Sequence, residues 1–158
     1  TSVGTTTNAT INPVMLTATF STTAKTYNAS TTASVTPTLS GILTGESLLV
    51  SVNMTNVVAN FDTKDVGTNK TVNVSTIALT GSGSSNYDVN STASSTGNIT
   101  VKQLGISFTT TAKYYNASDN ATVSGSLSDI VNSEPVSFTY TSSTFDNKNQ
   151  GTGKTVRV

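Results

Sequence analysis

The chain has 158 residues, 34% of them hydrophobic and 10% charged, and eight Lys and Arg balance eight Asp and Glu to a formal net charge of zero. It has no Cys, His or Trp, which excludes disulfides, thiolate chemistry, most zinc sites and the commonest general base, while the balanced charge leaves no basic stripe for nucleic acid. Roughly a third of the residues are Ser or Thr and helix-building runs of Ala, Leu, Glu and Lys are missing, so the expected fold class is all-β.

In chain order, the first clear strand runs through Leu16, Ala18 and Phe20, where apolar residues alternate with polar ones. A second stripe is Val50, Val52 and Met54, and a third is Val72 and Val74. The apolar phase then slips to Ile77 and Leu79, which predicts a bulge at Ser75-Thr76 or a strand crossing between sheets. Gly81-Ser82-Gly83-Ser84-Ser85 reads as a turn before a short strand at Tyr87 and Val89. Ile99 and Val101 share one phase, whereas Leu104, Ile106 and Phe108 share the other, with the slip at Lys102-Gln103.

From there the chain repeats itself. INPVMLTATFSTTAKTYNASTTASV from Ile11 aligns with ITVKQLGISFTTTAKYYNASDNATV from Ile99 at an offset of 88, and FDTKDVGTNKTVNV from Phe61 aligns with FDNKNQGTGKTVRV from Phe145 at an offset of 84. In the second copy Phe138 and Tyr140 match the Val50 stripe, and Val156 and Val158 match Val72 and Val74. Repetition at this period means stacked units of one kind, which favours a scaffold over an enzyme. The expected division is residues 1–10 as the tail of a preceding repeat, 11–98 as unit 1 and 99–158 as unit 2, two mostly-β units, sandwich-like or β-grasp-like, joined by a shared extended strand in a fixed mutual orientation. Unit 2 lacks counterparts of Ser75 to Asp88. That gap exposes apolar surface and a strand edge, to be filled either by chain continuing past Val158 or by a neighbouring subunit. Nothing resembles a signal peptide or a membrane span, as expected of an interior piece of a longer chain.

Several segments carry a resemblance. Lys25-Thr26-Tyr27-Asn28-Ala29-Ser30, Leu39-Ser40-Gly41-Ile42-Leu43-Thr44-Gly45-Glu46-Ser47, the stretch Phe61 to Val72 and the stretch Leu79 to Tyr87, with Phe145 to Val156 in the second copy, resemble the YDG-type and MBG repeat domains of large bacterial surface proteins and adhesins. The resemblance covers nearly the whole chain in order. It implies small, mostly-β modules in tandem, used as spacers or adhesive repeats, with no catalysis and no cofactor. Asn28-Ala29 and Asn116-Ala117 stand where the family has Asp-Gly; because alanine does not enter positive φ freely, a different local turn is expected.

Candidate sites each have a plainer reading beside them. The N-x-S/T sequon occurs at Asn8, Asn28, Asn53, Asn69, Asn73, Asn90, Asn98, Asn116 and Asn120; glycans there would shield a fibre surface, but a chain rich in Asn, Ser and Thr produces sequons by chance. An intramolecular Lys–Asn isopeptide bond would use Lys25 with Asn28 and Lys113 with Asn116, with a carboxylic acid polarising the amide. Lys64, Lys70, Asp62 and Glu46 recur as Lys148, Lys154, Asp146 and Glu134, and the plainer reading is solvated strand and turn residues. A Ca²⁺ site would draw on Asp62, Asp65 and Asp146; the competing reading is a turn closed by Asp side chains on their own backbone, and no metal is expected. Thr5-Thr6-Thr7 and Thr109-Thr110-Thr111 are too short for a hydroxyl array. Tyr27 and Tyr115 are expected in the core, leaving Tyr114 to stack on a sugar. Gly151-Thr152-Gly153-Lys154-Thr155 lacks phosphate-loop spacing and precedes a strand. No His activates the many hydroxyls, so no catalysis is expected.

The function expected is a structural spacer of an extracellular surface fibre or adhesin, on a cell or a virion; a Cys-free secreted chain leans toward bacterial, archaeal or viral sources. Its partners would be neighbouring repeats or subunits and, in one alternative, host glycans bound by an adhesive module. In a second alternative the chain is a filament subunit assembling by donor-strand complementation, residues 1–10 entering the place of the missing Ser75 to Asp88.

Overall fold

The computed structural model describes Gly4 and residues 7–158; part of the tail assigned to residues 1–10, including Thr5 and Thr6 of the threonine run, lies outside the described residues. The chain divides into two units, Thr1–Val101 and Lys102–Val158. It is almost entirely β, with only two single turns of 3-10 helix among the described residues.

The described residues of unit 1 form nine strands: β1 (Val14–Thr22), β2 (Lys25–Thr26), β3 (Val35–Ser40), β4 (Ser51–Val52), β5 (Val58–Phe61), β6 (Gly67–Ser75), β7 (Leu79–Thr80), β8 (Tyr87–Val89) and β9 (Ala93–Thr100). They form a three-stranded sheet in the order β3-β1-β8, a four-stranded sheet in the order β2-β9-β6-β5, and a β4-β7 pair. Alternation places Leu16, Ala18 and Phe20 of β1 on one buried face, and Val72 and Val74 of β6 do the same from the other sheet. Ala18, Phe20, Val52, Ala59, Phe61, Val72, Val74, Ile77 and Ile99 meet in one core, and Leu16, Val50 and Tyr87 in a smaller one. Two sheets over a common core, with no α-helix on either among the described residues, make this a sandwich, the first of the two topologies the sequence left open.

The phase slip after Val74 is a crossing between sheets. Thr76 has φ 54°, β6 ends, and β7 pairs with β4 in a separate ladder at Val52↔Leu79. The chain crosses again after β8, and there a side chain substitutes for backbone. Asn90 Oδ1 accepts from the Ala18 N–H at 2.7 Å, and its Nδ2 donates to the Ala18 and Thr92 carbonyls at 3.1 and 2.8 Å, so the β1 edge stays paired while the main chain departs. Met54, expected in the second stripe, lies in a turn and is exposed, because β4 ends at Val52 where its short partner β7 runs out.

The strand expected to span the junction is interrupted. β9 stops at Thr100, the next strand starts at Gly105, and Val101 to Leu104 belong to no ladder.

Unit 2 has four strands: β10 (Gly105–Thr110), β11 (Val123–Ser128), β12 (Thr144–Phe145) and β13 (Val156–Arg157), in pairs β10-β11 and β12-β13. These reproduce β1-β3 and β5-β6. Even an isolated bridge recurs, Thr32↔Asn60 becoming Asn120↔Thr144. Phe138 and Tyr140 were expected to form a strand and do not; their counterpart β4 pairs only with β7, for which the alignment supplies no counterpart in unit 2. They instead set their rings edge-on to Phe108, with centroids 5.6 and 5.9 Å apart. Val158, matched to buried Val74, is exposed.

Candidate functional site

Two side-chain constellations are built twice. The first closes the loop that follows β2. The Lys25 Nζ turns back onto it and donates to the carbonyls of Ser30 and Thr32 at 2.6 and 2.9 Å, 5.5 Å above the Phe61 ring. Burial lowers the pKa of this ammonium. In unit 2 the Lys113 Nζ donates to the carbonyls of Ser118 and Asn120 at 2.8 and 2.7 Å and to Asn116 Oδ1 at 3.1 Å, 5.6 Å above Phe145.

Within each loop an Asn closes an Asx turn, Asn28 Oδ1 accepting from the Ser30 N–H and Asn116 Oδ1 from the Ser118 N–H, both at 3.2 Å. The residue between takes positive φ, 58° at Ala29 and 61° at Ala117. The expectation of a different turn is therefore corrected: alanine occupies the conformation that glycine would. The Asx bond before it and the lysine clamp after it over-determine the loop, at a cost of about 1–2 kcal/mol.

The second constellation lies at the end of the β5-β6 and β12-β13 ladders. Asp62 Oδ1 sits 3.0 Å from Lys70 Nζ and accepts from the Thr63 N–H at 2.8 Å, while Lys70 Nζ also donates to Thr63 Oγ1 at 2.7 Å. Asp146 repeats this with Lys154 at 2.9 Å and the Asn147 N–H at 3.0 Å, and Lys154 Nζ donates to Asn147 Oδ1 at 2.6 Å. The hydrogen-bonding lysine holds each carboxyl below its ordinary range. These are turns closed by Asp side chains; Asp65 is exposed in the first of them, and no group of three metal-ligating side chains occurs among the described residues. In unit 1 the two constellations meet where Lys64 Nζ donates to the Tyr27 hydroxyl at 3.1 Å from above its ring.

A third arrangement belongs to unit 1. The Tyr87 hydroxyl donates to Glu46 Oε2 at 2.5 Å and accepts from the Leu43 N–H at 3.4 Å; the bond to Glu46 raises the tyrosine pKa above its usual value. Sequence reasoning saw Glu46 as an acid and Tyr87 as a strand residue but not the pair. The signal was that Glu46 recurs as Glu134 whereas Tyr87 has no counterpart. Asn90 was likewise seen only as a sequon.

The isopeptide participants separate into these groups. Lys113 does meet Asn116, but Lys25 holds main-chain carbonyls, Asp62 and Asp146 hold Lys70 and Lys154, and Glu46 holds Tyr87. Of the sequons, Asn8, Asn28, Asn69, Asn73, Asn116 and Asn120 are exposed, and Asn53, Asn90 and Asn98 are half-buried. Both Nδ2 donors of Asn90 are used, and Asn98 Oδ1 accepts from the Asn69 N–H at 2.8 Å. Tyr114 is exposed as expected, at 96%, but Tyr115 is exposed too, at 64%, correcting its assignment to the core. Its counterpart Tyr27 is anchored by donating its N–H to the Thr100 carbonyl of β9 at 2.8 Å, and unit 2 has no strand in that place among the described residues. Thr109 and Thr110 lie exposed on β10, with Thr111 beyond it.

The hydrogen-bonded lysine loop and the Asp-closed turn both lie on the segments that carried the resemblance, and the profile of the YDG domain matches residues 7–96. The chain belongs to the YDG domain family. The loop of Tyr27-Asn28-Ala29, with Ala29 at φ 58°, lies within the matched residues. No curated protein and no solved structure matches the chain.

Proposed function

We propose that the chain is a structural spacer, a tandem-repeat segment of an extracellular fibre or adhesin on a cell or virion surface, with YDG and MBG-like repeats as its neighbours and no catalytic activity. The observation that carries this reading is that four lysines, two in each unit at equivalent positions, are turned back onto groups of their own unit. Lys25, Lys113, Lys70 and Lys154 hold carbonyls and carboxylates of the same unit, which stiffens turns and leaves little for a substrate. The exposed amides of Asn8, Asn28, Asn69, Asn73, Asn116 and Asn120 would carry glycans in a host that attaches them. The test is small-angle scattering on proteins with increasing numbers of the repeat. A spacer gives a maximum dimension that grows by a constant increment per unit; saturation with added units would overturn it.

A second reading, a glycan-binding module, is favoured by the adjacent exposed rings of Tyr114 and Tyr115. Saturable binding to a glycan panel, lost in Tyr114→Ala, would install it in place of the spacer; no binding at millimolar concentration would remove it.

A further inference from the structure

The segment by which the chain enters unit 1 and the segment by which it leaves run side by side in the same direction. β1 and β8 pair in parallel, Val14 opposite Tyr87, Met15 opposite Asp88 and Leu16 opposite Val89. β2 and β9 do the same, with Lys25 opposite Ile99 and Thr26 opposite Thr100. Between the two ladders, Asn90 holds both main-chain groups of Ala18, and the Thr22 and Ser95 hydroxyls share a hydrogen bond of 2.6 Å. The separation along the sequence is 73 residues at Leu16 and Thr22, 72 at Ala18 and 74 at Lys25. The register is therefore kept while both segments pass from the three-stranded to the four-stranded sheet.

Particular residues make this pairing close and dry. A Cβ at Gly97 would lie 2.6 Å from Thr22 Cγ2, so the missing side chain is what lets β9 approach the end of β1. Leu16, Ala18 and Ile99 are buried, which keeps water from competing for the bonds beside them. At the far end the Tyr27 N–H donates to the Thr100 carbonyl at 2.8 Å, and the Thr100 hydroxyl donates to the Lys25 carbonyl at 3.3 Å. The Lys25 ammonium in turn fixes the loop that follows.

We propose that this paired course is a tension lock: force along the chain sets β1-β2 against β8-β9 in shear, and the bonds between them resist the extension of unit 1. The inference rests on the spacer reading, because a spacer is pulled by what it joins at its two ends. Parallel strands put the pulled ends at opposite extremities, Val14 where β1 begins beside Tyr87, and Thr100 where β9 stops beside Thr26. Tension between them runs along the strands and across the hydrogen bonds. The bonds of β1-β8, of Asn90, of Thr22 with Ser95 and of β2-β9 are then strained together and must yield together. Antiparallel partners would put entry and exit at the same end, where bonds open one at a time. Forced unfolding is governed by the rate of unfolding rather than by the equilibrium free energy, so bonds that break together set the resistance.

The β4-β7 ladder supplies the contrast. It stands as a pair of its own, and neither the entering nor the leaving segment belongs to it. Val52 of β4 is buried in the same core as Ala18 and Ile99. Truncating it lowers equilibrium stability without removing a hydrogen bond between β1-β2 and β8-β9.

Single-molecule pulling of the 158-residue chain is the test. The chain has no Cys, so thiols placed at the exposed positions 13, 86 and 101 define the direction of pull. Pro13→Cys with Val101→Cys pulls along the strands, and Pro13→Cys with Asn86→Cys pulls the adjoining starts of β1 and β8 apart. The expected result along the strands is one event that releases roughly 250 Å of chain, at several times the force needed in the second direction. In Asn90→Ala the unfolding rate along the strands rises about tenfold or more at a given force. Val52→Ala loses stability in urea but keeps that rate within about twofold. Equal forces in the two directions would overturn the proposal, and that comparison needs no change to the lock itself, so it decides even where Asn90→Ala does not fold. A rate unchanged in Asn90→Ala, or raised as much by Val52→Ala, would overturn it too. None of these outcomes alters the growth of molecular dimension with repeat number, so the spacer reading stands or falls separately.

Discussion

At Ala29 and Ala117 a left-handed backbone persists without the glycine that usually permits it, because the Asx turn and the lysine clamp hold both sides of the residue. Relieving the clash of Cβ with the following carbonyl outweighs the extra freedom that glycine gives the unfolded chain. Ala29→Gly and Ala117→Gly should therefore each stabilise their unit by about 1 kcal/mol in urea titrations. A loss of stability at both sites would show that the loop does not hold this conformation in solution. The paired carboxylates make a second prediction at this scale. Asp62 and Asp146 have folded-state pKa values depressed by their lysine partners, so their contribution is complete above the unfolded carboxylate value of about 3.9 and disappears as pH falls through the lower folded value. The wild type should exceed Asp62→Asn/Asp146→Asn in melting temperature at pH 6, and the two should converge as pH drops below about 4. A gap that persists into acid would assign the difference to something other than ion pairing.

Among the elements, the crossing from the three-stranded to the four-stranded sheet depends on Asn90. Its amide makes three hydrogen bonds and keeps both main-chain groups of Ala18 paired. Asn90→Ala should cost about 2 kcal/mol, since it leaves Ala18 polar groups unsatisfied near the core; Asn90→Asp keeps the acceptor and should fall between. Equal stabilities by chemical denaturation would mean water replaces the amide at no cost. The sequence made the strands of unit 1 legible wherever one face is buried and the other wet, as at Leu16-Ala18-Phe20 and Val72-Val74, because the period itself is the signal. It also located the crossing at Ser75-Thr76 from phase alone. It did not show the role of Asn90, because a side chain that imitates backbone looks like any polar residue. Nor did it show that Phe138 and Tyr140 would lie outside a ladder or Tyr115 outside the core: each has a strand-like or core-like pattern, and each depends on a partner strand that its own residues do not encode.

For the whole molecule, the two units share the β1-β3 and β5-β6 pairings and differ in core. Of the thirteen buried hydrophobic residues among those described, twelve lie in unit 1 and only Val123 lies in unit 2, so the apolar burial that drives folding is concentrated in the first unit. A unit of under 60 residues buries too small a fraction of its surface to be more than marginally stable on one hydrophobic core. Phe138 and Tyr140 pack edge-on against Phe108, and the Phe108 and Phe138 rings lie over Gly125, where a Cβ would meet Phe138 at 2.3 Å. Urea should therefore unfold the chain in two steps, unit 2 first. Tyrosine fluorescence gives the assignment, with Tyr114, Tyr115 and Tyr140 reporting the first transition and Tyr27 and Tyr87 the second. Amides of β10 and β11 should exchange with much less protection than those of β6 and β9 under native conditions. A single transition with equal protection in both units would show that unit 2 draws its stability from unit 1, and the unequal burial would then say nothing about the order of unfolding.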